Sequence, residues 1–426
     1  MAIPAQRLPA TALVDVEVTA TTMRFTLANA GGASAARFEL TLAEDGKSAR
    51  GKLRQNGTTF PVLFRRLTDD MHVGDGSRPQ DPRPPLPYGQ REVGFTSRDG
   101  TRLAGTLSVP LGGGLHPAVL LISGSGVQDR DGSLMGHRPF LVLSDHLTRA
   151  GIAVLRVDDR GVGGSGGDTA AASIDDKVDD ALAGLAWLAA QPGVDAAHLG
   201  LIGHSEGGAI APLAAVRATS PGVAFVVLLA APGVSGAELS LAQTEAQLRA
   251  VGAAESLITA QRASQATLLK AQLAGASGEA LRAAVTAHVD RVAAIVPAAE
   301  RASYEGAARQ LMIDTSVAAL ATKASRSFSL LDPTVALARL HVPVLAMNGS
   351  LDLQVPATEN LGKIQAALAR AGNLDVSAVV LPGLNHLFQP ARKGLPVEYP
   401  LIDVTLDPVV LDGIREWILA HASPAR

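Results

Sequence analysis

Ser205 stands in the run Leu199-Gly-Leu-Ile-Gly-His-Ser-Glu-Gly-Gly208, entered from a short apolar stretch and left through another, Ala209 to Val216. Glycines two before and two after a serine let a strand and a helix approach closely around a sharp, strained turn that holds the hydroxyl outward. A serine hydroxyl is a weak nucleophile near neutrality, so a base must take its proton and a third group must fix that base's tautomer. Two downstream loops offer these groups. Asn348-Gly-Ser-Leu-Asp352 follows the apolar run Val342 to Met347, and Pro382-Gly-Leu-Asn-His386 follows Val376 to Leu381. With Asp352 orienting His386 and His386 deprotonating Ser205, the chemistry would be attack on a carbonyl through an acyl intermediate. The blander roles are a turn serine, a turn-forming or capping aspartate and a structural histidine. Asp332 and Asp375 are weaker rivals because they precede strands; His421 lies near the C-terminus on a helix, and His204 is suited to shaping the turn.

The tetrahedral intermediate also needs two N–H donors for its oxyanion. The first expected donor is the backbone of Glu206, the residue after the nucleophile. The second is expected from the loop Ser123-Gly-Ser-Gly-Val-Gln-Asp-Arg-Asp131, at Ser125 or else Gly126, where glycines let the backbone face a substrate. Asp129, Arg130 and Asp131 read as an ion-paired brace of that loop, and Asp159-Arg160-Gly161 is read in the same way. With 43 glycines in 426 residues the serine pattern is open to chance, and Gly163-Gly164-Ser165-Gly166-Gly167 also fits it. No helix starts directly after Ser165, which marks it as a decoy.

These residues need a sheet to place them. Ala118–Ile122, Ile152–Val157, Leu199–Ile202, Val223–Leu229, Val342–Met347 and Val376–Leu381 are continuous apolar runs of the kind found in buried parallel strands. Two amphipathic strands, 91–97 and 101–109, precede them. Helical stretches lie between most of the runs, one opening at Ser173-Ile-Asp-Asp176 with a capping-box pattern and continuing to about Ala190. The expected class is α/β, a mostly parallel eight-stranded sheet with helices on both faces. Residues 235–331 break the rhythm as an Ala-, Leu- and Gln-rich helical insertion. Residues 1–76 read as a small antiparallel β unit, because apolar positions alternate at Val14, Val16, Val18; Met23, Phe25, Leu27; Phe38, Leu40, Leu42; and Phe60, Val62, Phe64. Turn signals fall at Gly31-Gly32, Asp45-Gly46 and Asn56-Gly57. The proline-rich stretch 77–90 reads as a linker, leaving 91–234 and 332–426 as the catalytic domain.

Composition narrows the remaining classes. The 37 basic and 40 acidic residues give a net charge of −3, which offers no electrostatic footprint for nucleic acid. The chain has no cysteine, which excludes disulfides and a thiolate nucleophile. No apolar run reaches the roughly 18 residues of a membrane span, and no secretory leader is visible at the N-terminus, so the compartment stays open. Neither metal-ligand spacing nor a phosphate-cradling loop occurs, so no cofactor is expected.

The set GHSEGG (203–208), SGSGVQDRDG (123–132), DDRGVGGSGG (158–167), NGSLDLQVP (348–356) and LNHLFQ (384–389) resembles bacterial α/β-hydrolase carboxylesterases with a β-rich domain ahead of the catalytic core. The resemblance spans about residues 91–420 in order, with Val127 standing where such proteins usually carry proline. It implies that Ser205, Asp352 and His386 form the triad, that the insertion is a cap over the acyl pocket, and that the substrate is a small ester with a short acyl chain. TLAEDGKSARGKLRQNGTTFPVLFRR resembles only the latter half of the family's leading domain, which implies further sequence before Met1. Two rival functions remain open: a peptidase or acyltransferase with the same triad, and a non-catalytic ligand-binding protein of the same fold. The β unit is expected to shield the core or a subunit contact rather than to bind carbohydrate, which leaves a homo-oligomer open.

Overall fold

The computed structural model describes residues 13–27, 36–55, 58–65, 78–296, 301 and 304–422. The expected turns at Gly31-Gly32 and Asn56-Gly57 lie outside them. The first unit is an antiparallel meander of β1 (Leu13–Val18), β2 (Thr22–Leu27), β3 (Ala36–Leu42), β4 (Ser48–Gln55) and β5 (Thr58–Arg65), in that spatial order. Phe25, Leu27, Phe38 and Leu40 are buried on one face, as their alternation requires. The three valines of β1 depart from that pattern. Val14, Val16 and Val18 are 41%, 53% and 60% exposed, because β1 is an edge strand whose register slips between Val14 and Glu17 around Asp15 at φ 53°.

The main unit is built from β6 (Tyr88–Thr96), β7 (Arg102–Pro110), β8 (His116–Ile122), α1 (Pro139–Arg149), β9 (Ala153–Val157), α2 (Ile174–Ala189), β10 (Val194–His204), α3 (Glu206–Arg217) and β11 (Phe225–Leu229). After an insertion it resumes with α9 (Thr334–Leu337), β12 (Val344–Gly349), α10 (Ala357–Arg370), β13 (Val376–Leu381) and α11 (Pro408–His421). Its eight strands lie in the order β13-β12-β11-β10-β8-β9-β7-β6, with β8 to β13 parallel and β6 and β7 antiparallel at one edge. The expected mixed, mostly parallel sheet is therefore present. Helices α2, α3, α9 and α10 close one face over Leu120, Leu155, Leu201, Val226 and Ala346. Helices α1 and α11 close the other over Val119, Val154, Ile202, Val227 and Leu345. Ser173 caps α2 through the capping box read from its sequence, its hydroxyl accepting from Asp176 N–H while the Asp176 carboxylate accepts from Ser173 N–H.

The stretch read as a linker is instead, from Arg78 onward, a strap bound to the catalytic unit. Arg78 donates to the carbonyls of Gly136, Met135, Pro400 and Ile402, Gln80 binds Leu406 and Thr405, and Asp81 pairs with Arg138 at 2.6 Å. Proline keeps this segment out of regular structure, but side chains between the prolines hold it in place, and β6 begins at Tyr88 rather than Arg91.

The insertion is helical, as expected: α4 (Gly236–Ala250), α5 (Glu255–Leu273), α6 (Gly278–Ile295), α7 (Gly306–Leu320) and α8 (Lys323–Leu330). Leu268, Leu281, Val285, Val289 and Ile313 give it a core of its own. It meets the main unit through α8, where Lys323 pairs with Asp176, the Ser327 hydroxyl accepts from Ile174 N–H and Phe328 packs beside Val234, Leu239 and Val355. Among the described residues no helix is long and apolar enough to cross a membrane.

Candidate active site

Strand β10 ends at His204 and α3 begins at Glu206, so the whole reversal falls on Ser205, at φ 54° and ψ −120°. A non-glycine residue there costs about 1–3 kcal/mol, which the surroundings must offset. Ser205 N–H donates to Leu229 O at 2.8 Å and Ser205 O accepts from Gly208 N–H at 2.8 Å. The flanking glycines permit the turn: a Cβ on Gly203 would meet Gly207 O at 2.1 Å, and one on Gly207 would meet Ile122 O at 2.2 Å.

Asp352 and His386 come from the loops after β12 and β13, and both are buried. His386 Nδ1–H donates to Asp352 Oδ2 at 2.8 Å, and Asp352 Oδ1 accepts from Gln354 N–H and Val355 N–H, each at 2.8 Å. With Nδ1–H donated to the carboxylate, this tautomer of the imidazole turns Nε2 outward as its acceptor. Ser205 and His386 both line one cavity of about 230 Å³, together with Ser123, Gly124, Ser125, Gln128, Leu134, Phe140, Gln354 and Leu387. Among the described residues, none from the insertion lines this cavity.

The expected oxyanion donors fall in different places. Glu206 is the first residue of α3, so its N–H has no acceptor within the helix. Ser125 lines the cavity, whereas Gly126 does not. Gly124, at which no donor was expected, lies against the nucleophile, since a Cβ there would be 3.3 Å from Ser205 Cβ. Its signal was available: it is the first glycine after a buried strand.

Other expectations sort cleanly. Ser165 is buried, its hydroxyl donating to Asp158 O at 2.8 Å and accepting from Ala104 N–H at 2.9 Å, so it braces a loop. Arg130 forks onto Asp158, and Arg156 pairs with Asp131, which is the brace read from the sequence. Arg160 pairs with Asp180 and Asp99. Asp159 departs from that reading, because its partners are Ser123 and the Gln128 N–H rather than an arginine. Burial lifts the Asp159 carboxyl to about 6. His421 bonds Asp375 at 3.3 Å and stacks on Trp417, and Asp332 caps Thr334; none of these lines the cavity.

Two residues buttress the loop bearing His386: His204, expected to shape the turn, and Asn385, for which nothing was expected. His204 Nε2–H donates to the His386 carbonyl at 3.0 Å with the two rings 4.8 Å apart, and burial followed by the neighbouring His386 lowers its pKa to about 3, which keeps it neutral. Asn385 is fully buried and its side chain accepts from Leu387 N–H and Gln389 N–H, which fixes the loop bearing His386. Among the described residues no group of three or more His, Asp or Glu could hold a metal ion.

The profile of the family described as serine aminopeptidase, S33, matches residues 138–389, a span that includes Ser205, Asp352 and His386. An esterase of Thermotoga maritima, EstD, is 25% identical over 318 residues, covering 74% of this chain and 65% of the esterase. An uncharacterized protein of Mycobacterium tuberculosis is 36% identical over 132 residues, covering 31% of this chain and 43% of that protein. The chain thus spans less than two thirds of the length of these relatives. Among solved structures, an esterase of Pyrococcus furiosus superposes with a TM-score of 0.45 at 17% identity, covering 78% of this chain and 92% of that one. The α/β-hydrolase GrgF of Penicillium gives 0.48 at 16%, covering 78% and 99%. On the profile match, which takes in more than half of its residues, the chain belongs to the serine aminopeptidase S33 family of α/β-hydrolases.

Proposed function

We propose that the protein is a serine esterase that cleaves small esters with short acyl chains. Ser205 attacks the carbonyl, His386 Nε2 takes its proton, Asp352 holds the imidazole tautomer, and the N–H groups of Glu206 and Ser125 receive the oxyanion. His386 then returns the proton to the departing alcohol, and water cleaves the acyl-enzyme by the same route. The observation that carries this reading is the positive-φ serine between β10 and α3, sharing a cavity with a histidine whose far nitrogen is bonded to a buried carboxylate.

The rival is peptide cleavage at a free N-terminus, as the family description suggests. An enzyme that selects an α-ammonium group needs an anion near the bound amine, because an unpaired ammonium loses its hydration without return. Among the described residues, those lining the cavity include no aspartate or glutamate. Besides Ser205, His386 and His204, its polar side chains are Ser123, Ser125, Gln128 and Gln354, which suit a neutral ester, and its volume of about 230 Å³ favours a short acyl group. The test is turnover of p-nitrophenyl esters from acetate to laurate beside aminoacyl p-nitroanilides, for wild type and Ser205→Ala. Short esters should turn over at least about 100-fold faster than the anilides, with Ser205→Ala inactive. Faster anilide cleavage, or a variant as active as wild type, would overturn the reading.

A further inference from the structure

Loop 123–128 leaves β8, passes over Ser205 and carries Ser125, yet little side-chain packing holds it. Val127 is 72% exposed, and Gly126, at φ 96°, has nothing within 4 Å of where a Cβ would be. What fixes the loop is one carboxylate at the end of β9. The Ser123 hydroxyl donates to Asp159 Oδ1 at 2.5 Å, Gln128 N–H donates to Asp159 Oδ2 at 3.0 Å, and Asp159 N–H donates back to Gln128 O at 3.1 Å. Between these anchors, Gln128 Nε2 holds the Ser125 carbonyl at 3.2 Å. The second oxyanion donor belongs to the same region, because the Glu206 carboxylate is buried in an ion pair with Lys177 on α2.

We propose that Asp159 is a positioning residue for the oxyanion hole: its ionised carboxylate holds both ends of loop 123–128 and so places the Ser125 N–H opposite the Glu206 N–H. This deepens the esterase reading and rests on it. The charged groups facing Asp159 are Lys177 from α2, which favours its ionised form, and Glu206 from α3, which opposes it. Its chain neighbours face elsewhere, Asp158 to Arg130 and Arg160 to Asp180 and Asp99.

The carboxyl is raised to about 6, first by burial, against the hydrogen bond from Ser123 and the charge of Lys177. An aspartate whose folded pKa lies above its unfolded value of 3.8 is destabilising once ionised. Folding therefore gains nothing from this charge at neutral pH, and it disfavours the folded state there. Protonation turns one oxygen into a donor, and because the Ser123 hydroxyl can turn from donor to acceptor, the two contacts persist without the charge that strengthens them.

Asp159→Ala removes both anchors, whereas Asp159→Asn keeps both contacts in uncharged form, its oxygen accepting from Gln128 N–H and its amide donating to the Ser123 hydroxyl. Against a short p-nitrophenyl ester at pH 8, Asp159→Ala should lower kcat about 10- to 100-fold, the size of a displaced oxyanion donor, with KM changed less than about threefold, and Asp159→Asn should recover most of that loss. The Tm of Asp159→Asn at pH 8 should equal or exceed that of wild type. Asp159→Ala within threefold of wild-type kcat, or Asp159→Asn impaired as severely as Asp159→Ala, would overturn the proposal. Should Asp159→Ala not fold, Ser123→Ala, which removes one anchor, should still lower kcat, and wild-type kcat there would overturn the proposal. Absence of ester turnover in wild type would instead remove the functional reading.

Discussion

Replacing Asp352 by asparagine should disable the base while leaving the fold in place, and the structure sets which way the amide turns. Asp352 Oδ1 accepts two backbone N–H groups, from Gln354 and Val355, at 2.8 Å each. An asparagine must keep its oxygen there, because the opposite rotamer would aim its NH2 at two donors and leave both buried N–H groups unpaired, at about 1–3 kcal/mol each. The NH2 then faces His386 Nδ1, which has to accept, so the proton moves to Nε2 and the nitrogen offered to Ser205 is no longer basic. This wrong-tautomer effect is worth roughly 10⁴-fold in kcat in a serine triad, or about 5.5 kcal/mol of barrier. The assay is kcat/KM for p-nitrophenyl acetate, with circular dichroism and Tm as the fold control. A drop of three to five decades with Tm within a few degrees is expected. Retention of more than a tenth of the activity by a folded Asp352→Asn would refute the role of Asp352 and the tautomer argument together.

Ser165→Ala should leave ester turnover within about twofold of wild type while lowering stability by about 1–3 kcal/mol, because Ala104 N–H and Asp158 O lose a buried partner; urea unfolding and kcat on the same sample check both. Gly207→Ala should lower Tm and reduce kcat at least about 100-fold, since the new methyl meets the Ile122 and Ser123 carbonyls at 2.2 and 2.5 Å and must displace the strand end that carries the oxyanion loop. His137 is fully buried between the Tyr399 carbonyl and the Thr405 hydroxyl, and burial lowers its pKa to about 4 from 6.5. The unfolded chain takes up that proton first, so the contribution is intact above pH 6.5 and is lost as pH falls from 6.5 towards 4, amounting to roughly 3 kcal/mol. Unfolding free energies at pH 7.5 and 5 should show His137→Asn with a shallower loss than wild type.

The turn at Ser205 was readable because its determinants are local: an apolar run, two glycines that exclude Cβ clashes, and a helix-forming stretch in one window of sequence. Asp352 and His386 were readable because each follows a buried strand, and parallel strands deliver their ends to one edge of the sheet. What sequence spacing could not supply was long-range partnership. Asp159 sits in an Asp-Arg-rich run and reads as half of an ion pair, yet its partners are a hydroxyl and an amide contributed by another strand's loop. Val14, Val16 and Val18 alternate like a core-facing strand, but alternation cannot reveal that β1 lies at an edge and slips register. The prolines of the strap hid Arg78, whose four carbonyl partners lie some 57 to 324 residues away. The insertion's length and helicity were plain, whereas its attachment through α8, and the absence of its described residues from the walls of the cavity, depend on packing that no single segment encodes.

The central claim is that one hydroxyl, that of Ser205, takes the acyl group. Intact-mass analysis of protein quenched during turnover of a slow p-nitrophenyl ester, with a fluorophosphonate-labelled sample in parallel and peptide mapping of both, tests it most directly. The account predicts a single adduct in each case, on the peptide containing Ser205 and absent from Ser205→Ala. Adducts at Ser165 or elsewhere, or ester turnover continuing after Ser205 is fully labelled, would contradict it.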